Sequence, residues 1–139
     1  MIPLLAWVAA LVFAALALLH LYWSAGGKAG LAAALPQNGD QVVFHPSPLA
    51  TLLVAVGLGF ATWLLLTRAG ITSAPWPVRW TRVGTWVLGA LFAFRTIGDF
   101  RYVGFFKSVR DTRFARADTR GYTPLCLALA AAVFAVAQS

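Results

Sequence analysis

Apolar residues form long stretches along this chain, and most of the charged residues lie between them. Residues 2–23 contain no Asp, Glu, Lys or Arg, and similar runs cover 48–67 and 122–137. Because an α-helix rises about 1.5 Å per residue, a run of about 20 apolar residues crosses the roughly 30 Å hydrocarbon core of a bilayer. The pattern therefore predicts three membrane-spanning helices, of which the last is short.

A further apolar stretch, predicted as a helix over 79–100, differs from the others because it carries charges. The uncharged run between Arg82 and Arg95 is too short to cross a bilayer. We expect this helix to extend back through its amino-terminal arginines and to include Arg95 and Asp99 near one headgroup level. The sequence thus predicts an all-α fold, a four-helix transmembrane bundle that forms one integral membrane domain over 1–139.

Composition and charge agree with a membrane protein and change the interpretation of its basic residues. The chain is 60 % hydrophobic and only 11 % charged, whereas soluble domains are about half apolar and about a quarter charged. A net charge of +7 could indicate nucleic-acid binding, but a basic patch on a soluble fold is missing. We expect the basic residues to contact membrane lipids, including anionic headgroups, and we expect no nucleic acid as a partner.

The distribution of basic residues predicts an orientation in the inner membrane. The first and third loops share one side of a four-helix bundle, and they carry Lys28 and the six basic residues between 101 and 120. The other side has only Arg68, Arg79 and Arg82. The positive-inside rule therefore predicts that loops one and three are cytoplasmic and that both termini lie outside the cytoplasm. Aromatic residues interleave with the basic ones in loop three, which is typical of an interfacial segment at the headgroup layer.

Polar side chains that could bind a ligand are expected to gather at this same face. Consecutive helices run in opposite directions, so the end of helix one meets the start of helix two, the end of helix three and the start of helix four. The candidate ligand-binding residues at these ends are His20, Tyr22, Trp23, Arg95, Asp99, Arg101, Tyr102 and Tyr122.

Arg95 and Asp99 are the most informative of these candidates, because ionisable groups at membrane depth usually have a pairing or functional reason. They are four residues apart and would share a helix face, so we expect them to pair. The pair either attaches helix three to loop three, or Asp99 orients Arg95 toward an anionic headgroup or carboxylate. His20 also has two interpretations. It is either an interfacial residue of an aromatic belt, or a ligand or proton carrier.

Evidence for an enzyme is weak, and whether the protein catalyses a reaction stays open. The chain has no glutamate, no paired cysteines, no phosphate-binding glycine motif and no nucleophile elbow. His20 and His45 are weak candidates for a metal or haem site, which would require both side chains to converge, and no cofactor is predicted. The other alternative is a small transporter or structural subunit, which would function as a homo-oligomer.

Three blocks of sequence carry a resemblance to a known family. They are His-Leu-Tyr-Trp-Ser-Ala-Gly-Gly at 20–27, Phe-His-Pro-Ser-Pro at 44–48, and the run 94–125 with Arg-Thr-Ile-Gly-Asp-Phe-Arg-Tyr-Val-Gly-Phe-Phe. The chain resembles the domain of unknown function 3995 family, small and mostly bacterial membrane proteins of about this length. The resemblance implies this architecture and a site, but no reaction. The matching positions are His20, Trp23, Gly26, Gly27, Pro46, Pro48, Arg95, Gly98, Asp99, Phe105 and Pro124.

Overall fold

Three helices of the computed structural model, which describes residues 1–139, are long and apolar enough to cross a membrane. They cover Ile2–Ser24, Pro48–Arg68 and Arg113–Gln138. The elements in chain order are α1 (Ile2–Ser24), α2 (Leu31–Ala34), β1 (Gln37–Asn38), β2 (Gln41–Val42), α3 (Pro48–Arg68), α4 (Val78–Ile97), α5 (Arg113–Ala117) and α6 (Thr123–Gln138). A single π-helical turn, Asp118–Tyr122, joins α5 to α6.

The first two long helices begin where their sequences favour a helix start. Both α1 and α3 have a proline in the first turn, where the missing N–H has no helical partner to lose. Ser47 caps α3, because its Oγ accepts a hydrogen bond of 3.1 Å from the amide of Ala50. Between these helices, loop one forms the short helix α2 and an antiparallel hairpin that pairs Gln37 with Val42. The all-α prediction did not include this hairpin.

Helix α4 has 20 residues, but its three arginines lower its hydropathy, so it is not among the three helices that are apolar enough to cross a membrane. It extends back to Val78, as expected. It ends at Ile97, so the predicted extension to residue 100 is wrong. The reason is Gly98, which adopts a φ of 92° and turns the chain out of the helix. A Cβ on Gly98 would collide with the backbone at Val103, so the chain can return this closely only past a glycine.

The last long helix begins earlier than predicted. Its polar part, Arg113–Tyr122, precedes the apolar run that was predicted as helix four. Thr112 caps it, with Oγ1 accepting a hydrogen bond of 3.1 Å from the amide of Ala115. The segment predicted as interfacial is therefore a loop over 98–112 followed by five polar-rich helical residues and the π turn.

The four long helices pack in two pairs, α1 with α3 and α4 with α6, and α1–α6 and α3–α4 contacts join the pairs. Their buried apolar core lies in the half of the structure that contains both chain termini. Small side chains on α1 let its neighbours approach closely, and the ring of Phe13 packs edge-on against Phe92 with centroids 4.9 Å apart. We call this the packed half; its core residues are Ala6, Ala9, Ala10, Phe13, Ala61, Leu65, Leu129, Val133 and Val136.

Candidate functional site

The opposite half of the structure contains a cavity of about 600 Å³. Its walls come from the carboxyl-terminal half of α1, the first turns of α3, the end of α4, the start of α6 and loop one. Most of the lining is apolar. The lining residues are Leu16, Leu19, His20, Trp23, Gly30, Leu31, Ala34, Leu35, Phe44, Pro46, Ala50, Thr51, Val54, Arg95, Phe114, Tyr122, Leu125, Cys126 and Leu129.

Loop one covers this cavity and is held by side chains from two helices. The Tyr122 hydroxyl donates a hydrogen bond of 3.2 Å to the carbonyl of Ala33, and the Trp23 indole N–H donates one of 2.8 Å to the carbonyl of Ala29. Gln37 accepts a further bond of 3.3 Å from the amide of Phe114. Loop one and the start of the last long helix therefore meet at one end, as predicted from the alternation of helix directions.

His20 lines the cavity, and only one of its ring nitrogens is hydrogen-bonded to the protein. Its Nδ1 lies 2.8 Å from the carbonyl oxygen of Leu16, which can only accept, so Nδ1 carries the proton. In the neutral imidazole, Nε2 is then an acceptor. The Trp23 ring packs edge-on against the imidazole with centroids 5.1 Å apart, which fixes its orientation.

A fully buried carboxylate, Asp118, organises the polar end of the cavity. Its Oδ1 accepts from Nη2 of Arg95 at 2.7 Å. Its Oδ2 accepts from the ammonium of Lys107, the amide of Gly104 and the hydroxyl of Thr123, each at 2.9 Å. Lys107 is itself only 2 % exposed. We call Arg95, Gly104, Lys107, Asp118 and Thr123 the Asp118 cluster.

The Asp118 cluster carries an excess of positive charge. Two cations, Arg95 and Lys107, share one carboxylate. Every hydrogen bond of the Asp118 side chain is made to another member of the cluster. Nη1 of Arg95 is buried and has no hydrogen-bond partner. A buried donor without a partner costs about 1–3 kcal/mol, and more when it is charged. One guanidinium nitrogen of Arg95, a residue of the cavity wall, therefore lacks an acceptor.

The π turn at Asp118–Tyr122 sets the positions of the carboxylate and the phenol. It places Asp118 against α4, while Tyr122 lines the cavity. π-helical turns are rare and occur frequently at functional sites, because they add one residue to a helix and redirect its side chains. Here, the turn joins the Asp118 cluster to the cavity wall.

Asp99 is not the partner of Arg95, so the predicted Arg95–Asp99 pair is wrong. α4 ends before Asp99, whose Oδ1 instead accepts from the amides of the next loop residues, Arg101, Tyr102 and Val103, at 2.9, 2.7 and 2.9 Å. Partial burial acts to raise the pKa of Asp99, but the amide hydrogen bonds outweigh it and hold the pKa below its ordinary value of 3.8. Asp99 shapes the loop and does not line the cavity.

The structure divides the predicted site residues into two groups. His20, Trp23, Arg95 and Tyr122 line the cavity. Outside it, Tyr22 packs on Gly27, and the guanidinium of Arg101 lies 5.1 Å above the ring of Tyr102. His45 is exposed and does not join His20 in the cavity wall, and no group of three or more His, Cys, Asp or Glu is placed to hold a metal ion.

Asp118, Lys107 and Thr123 are the site residues that sequence reasoning missed. One signal was available: Asp118 lies four residues before the apolar run 122–137, and an ionisable group next to a membrane span usually has a pairing or functional reason. Pairing by helical spacing could not find that cation, since Arg95 is 23 residues away in sequence and Lys107 lies in an irregular loop.

These features define a small helical protein with three helices able to cross a membrane and a mostly apolar cavity that is cationic at one end. Residues 12–133 match the family model described as protein of unknown function, DUF3995, and the chain belongs to this family. The resemblance drawn from the sequence blocks is thereby confirmed. No curated protein and no solved structure matches the chain.

Proposed function

We propose that this protein is a multi-pass membrane protein that binds a lipid or small anionic amphiphile in the cavity. The observation that carries the proposal is the unpartnered Nη1 of Arg95, a residue of an otherwise mostly apolar wall. The Arg95 side chain is 32 % exposed, so a negatively charged oxygen of a bound molecule would provide an acceptor for its guanidinium from the cavity side. Hydrogen bonds of this charge-assisted kind are about twice as strong as those between neutral groups.

The shape and lining of the cavity favour an amphiphile over a purely polar ligand. Its volume falls within the range of about 300–1,000 Å³ that small-molecule sites occupy. Leu16, Val54, Leu125 and Leu129 provide apolar surface for a chain, while Arg95 provides a charge at one end. A ligand with one apolar and one anionic part matches both.

The Asp118 cluster supports the binding of an anion by holding Arg95 in place beforehand. Because Asp118 fixes Nη2, the guanidinium loses little side-chain entropy when a ligand binds. Lys107 compensates the carboxylate, so the positive charge of Arg95 is not fully neutralised within the cluster. A neutral ligand would add no negative charge to balance the excess of positive charge in the cluster.

We also propose that α4 crosses the membrane as a fourth helix and that the cavity lies on the cytoplasmic side. Arg79 and Arg82 lie in the first two turns of α4, from where their long side chains can reach the headgroups, and Arg95 in the last turn is paired with Asp118. The loops at the cavity end carry most of the basic residues, which favours the cytoplasm of a cell with an inner membrane for that end and the outside for both termini. Phe100 and Phe106, 65 % and 62 % exposed, would enter the headgroup layer there.

The experiment is native mass spectrometry of the protein purified in a mild detergent, followed by identification of bound molecules. Ala50→Phe places a ring in the cavity wall, and we expect it to abolish co-purification of the ligand. Ala15→Phe, at an exposed position of α1 that does not line the cavity, is the matched control and should retain the ligand.

A second variant tests the charge and guards against a folding defect. We expect Arg95→Gln to reduce ligand occupancy about tenfold or more, because a charge-assisted hydrogen bond contributes about 1.5–3 kcal/mol. Thermal unfolding of each variant shows whether it is folded. Unchanged occupancy in folded Ala50→Phe and Arg95→Gln proteins would refute the proposal.

A further inference from the structure

The volume of the cavity limits the size of the molecule that it can enclose. Sites for small molecules have cavity volumes of about 300–1,000 Å³, so a cavity of 600 Å³ corresponds to a ligand of ordinary small-molecule size. One acyl chain with a small head has this size, whereas a two-chain phospholipid is far larger. The cavity therefore fits a single-chain amphiphile.

The polar atoms at the cavity end limit the chemistry of the head. Arg95 can only donate, so its partner must be an acceptor. His20 differs, because with Nδ1 donating to Leu16 the Nε2 atom of the neutral tautomer is an acceptor, which a hydroxyl of the ligand can satisfy. A simple carboxylate gives Arg95 an acceptor but offers no donor to His20.

We infer that the ligand is a single-chain amphiphile whose head combines a negatively charged oxygen with a hydroxyl group. The charged oxygen accepts from Arg95, the hydroxyl donates to Nε2 of His20, and the chain lies along Leu16, Val54 and Leu125. This inference rests on the proposed function, because it names the ligand of the same cavity. An α-hydroxy fatty acid is the simplest molecule of this class.

The test measures binding of three probes to delipidated protein in one detergent by native mass spectrometry. The probes are palmitate, α-hydroxypalmitate and a two-chain phosphatidylglycerol. We expect α-hydroxypalmitate to bind about fivefold more tightly than palmitate, the usual effect of one added hydrogen bond. Phosphatidylglycerol should bind at least tenfold more weakly than palmitate. Equal or tighter binding of the phospholipid would overturn the single-chain inference.

The variant His20→Phe separates the hydroxyl contact from general binding. It keeps an aromatic ring beside Trp23 and removes only the imidazole, whose sole hydrogen bond is to its own helix. We expect the ratio of the α-hydroxypalmitate affinity to the palmitate affinity to fall from about five to about one, whatever the affinity of the variant for palmitate itself. Comparing the ratio of the two affinities between proteins cancels the different partition of the two acids into detergent. A preference that survives in His20→Phe would overturn the role of His20.

The outcomes also distinguish this inference from the proposed function. If palmitate and phosphatidylglycerol bind equally and Ala50→Phe blocks both, the cavity still binds amphiphiles and only the ligand class is wrong. If no probe binds to the wild-type protein and no molecule co-purifies with it, both fail.

Discussion

The two halves of the structure are held together by different physical means. In the packed half, Ala6, Ala10 and Phe13 of α1 are almost completely buried against α3 and α6, and no ion pair takes part. In the cavity half, many wall residues remain partly exposed, and a buried carboxylate joins α4, the loop after it and the last long helix. One half is stabilised by close packing, and the other by a few strong polar contacts around an open volume.

This difference separates the residues needed for stability from those available for binding. In a tightly packed core, removing or adding a single methylene lowers the free energy of unfolding. A cavity can tolerate such changes, because its wall is not in contact on every side. The Asp118 cluster is the exception in the cavity half, since it positions Arg95 and fixes the loop at the same time. Substitutions in the two halves should therefore have contrasting effects.

The largest effect is expected from Asp118→Asn. It leaves the buried Lys107 and the partly exposed Arg95 without a carboxylate, and removal of one partner from a buried ion pair such as Lys107–Asp118 costs about 3–5 kcal/mol. Unfolding in mixed detergent micelles would measure the loss. Asp111→Asn, at an exposed position of the same loop, is the control and should change stability by less than about 0.5 kcal/mol. A loss below about 1 kcal/mol for Asp118→Asn would show that the cluster does not hold the cavity half together.

The next largest effect is expected when a large apolar side chain is truncated, and it should differ between the two halves. Phe13→Ala empties a fully buried site and should cost about 3 kcal/mol, whereas Leu19→Ala, in the cavity wall and already 37 % exposed, should cost less than about 1 kcal/mol. The same unfolding measurement on delipidated protein gives both values. Similar losses at the two positions would mean that the halves do not differ in packing.

Enlarging a small residue should give the converse result. Ala10→Leu forces extra methylenes into the packed core and should destabilise the protein by about 1–3 kcal/mol. Ala50→Leu extends into the cavity and should be neutral within about 0.5 kcal/mol. If Ala50→Leu is as damaging as Ala10→Leu, the cavity half is not open to added volume.

The smallest effect is expected at Asp99, which stabilises only its own loop. Asp99→Ala should cost about 1 kcal/mol at neutral pH, in the range of a lost helix cap. The pKa of Asp99 is lowered on folding, so its contribution is complete above the ordinary value of 3.8 and disappears as the pH falls through the lowered folded pKa. The stability difference between the wild type and Asp99→Ala should therefore be constant above about pH 5 and vanish in strong acid. A difference that does not depend on pH would contradict the carboxylate as its source.

Much of the fold could be predicted because apolar length is a strong signal. Three uncharged runs led directly to the three apolar helices, and the alternation of helix direction led to the meeting of His20, Arg95 and Tyr122 at one end. The end of α4 was harder to predict, because the apolar pattern continues past Gly98. The backbone freedom of that glycine, and not hydrophobicity, ends the helix there.

The partner of Arg95 could not be predicted from local spacing. Helical periodicity favours Asp99, four residues away, over Asp118, which approaches only because the loop returns through Gly98 and Gly104. Long-range ion pairs depend on the course of the loop, which the pattern of apolar and polar residues leaves undetermined. The burial of Lys107 was hidden for the same reason.

Because of the π turn, the number of residues in this segment matters as much for the site as their identity. Deletion of one residue there, such as Gly121, would restore regular α-helical geometry and rotate everything before it by about 100° relative to α6. Asp118 would then turn away from Arg95, although every residue of the cluster would still be present. A relative that is one residue shorter within the turn Asp118–Tyr122 should therefore carry its counter-ion at another position. Alignment gaps in this segment would then distinguish members with this site from members without it.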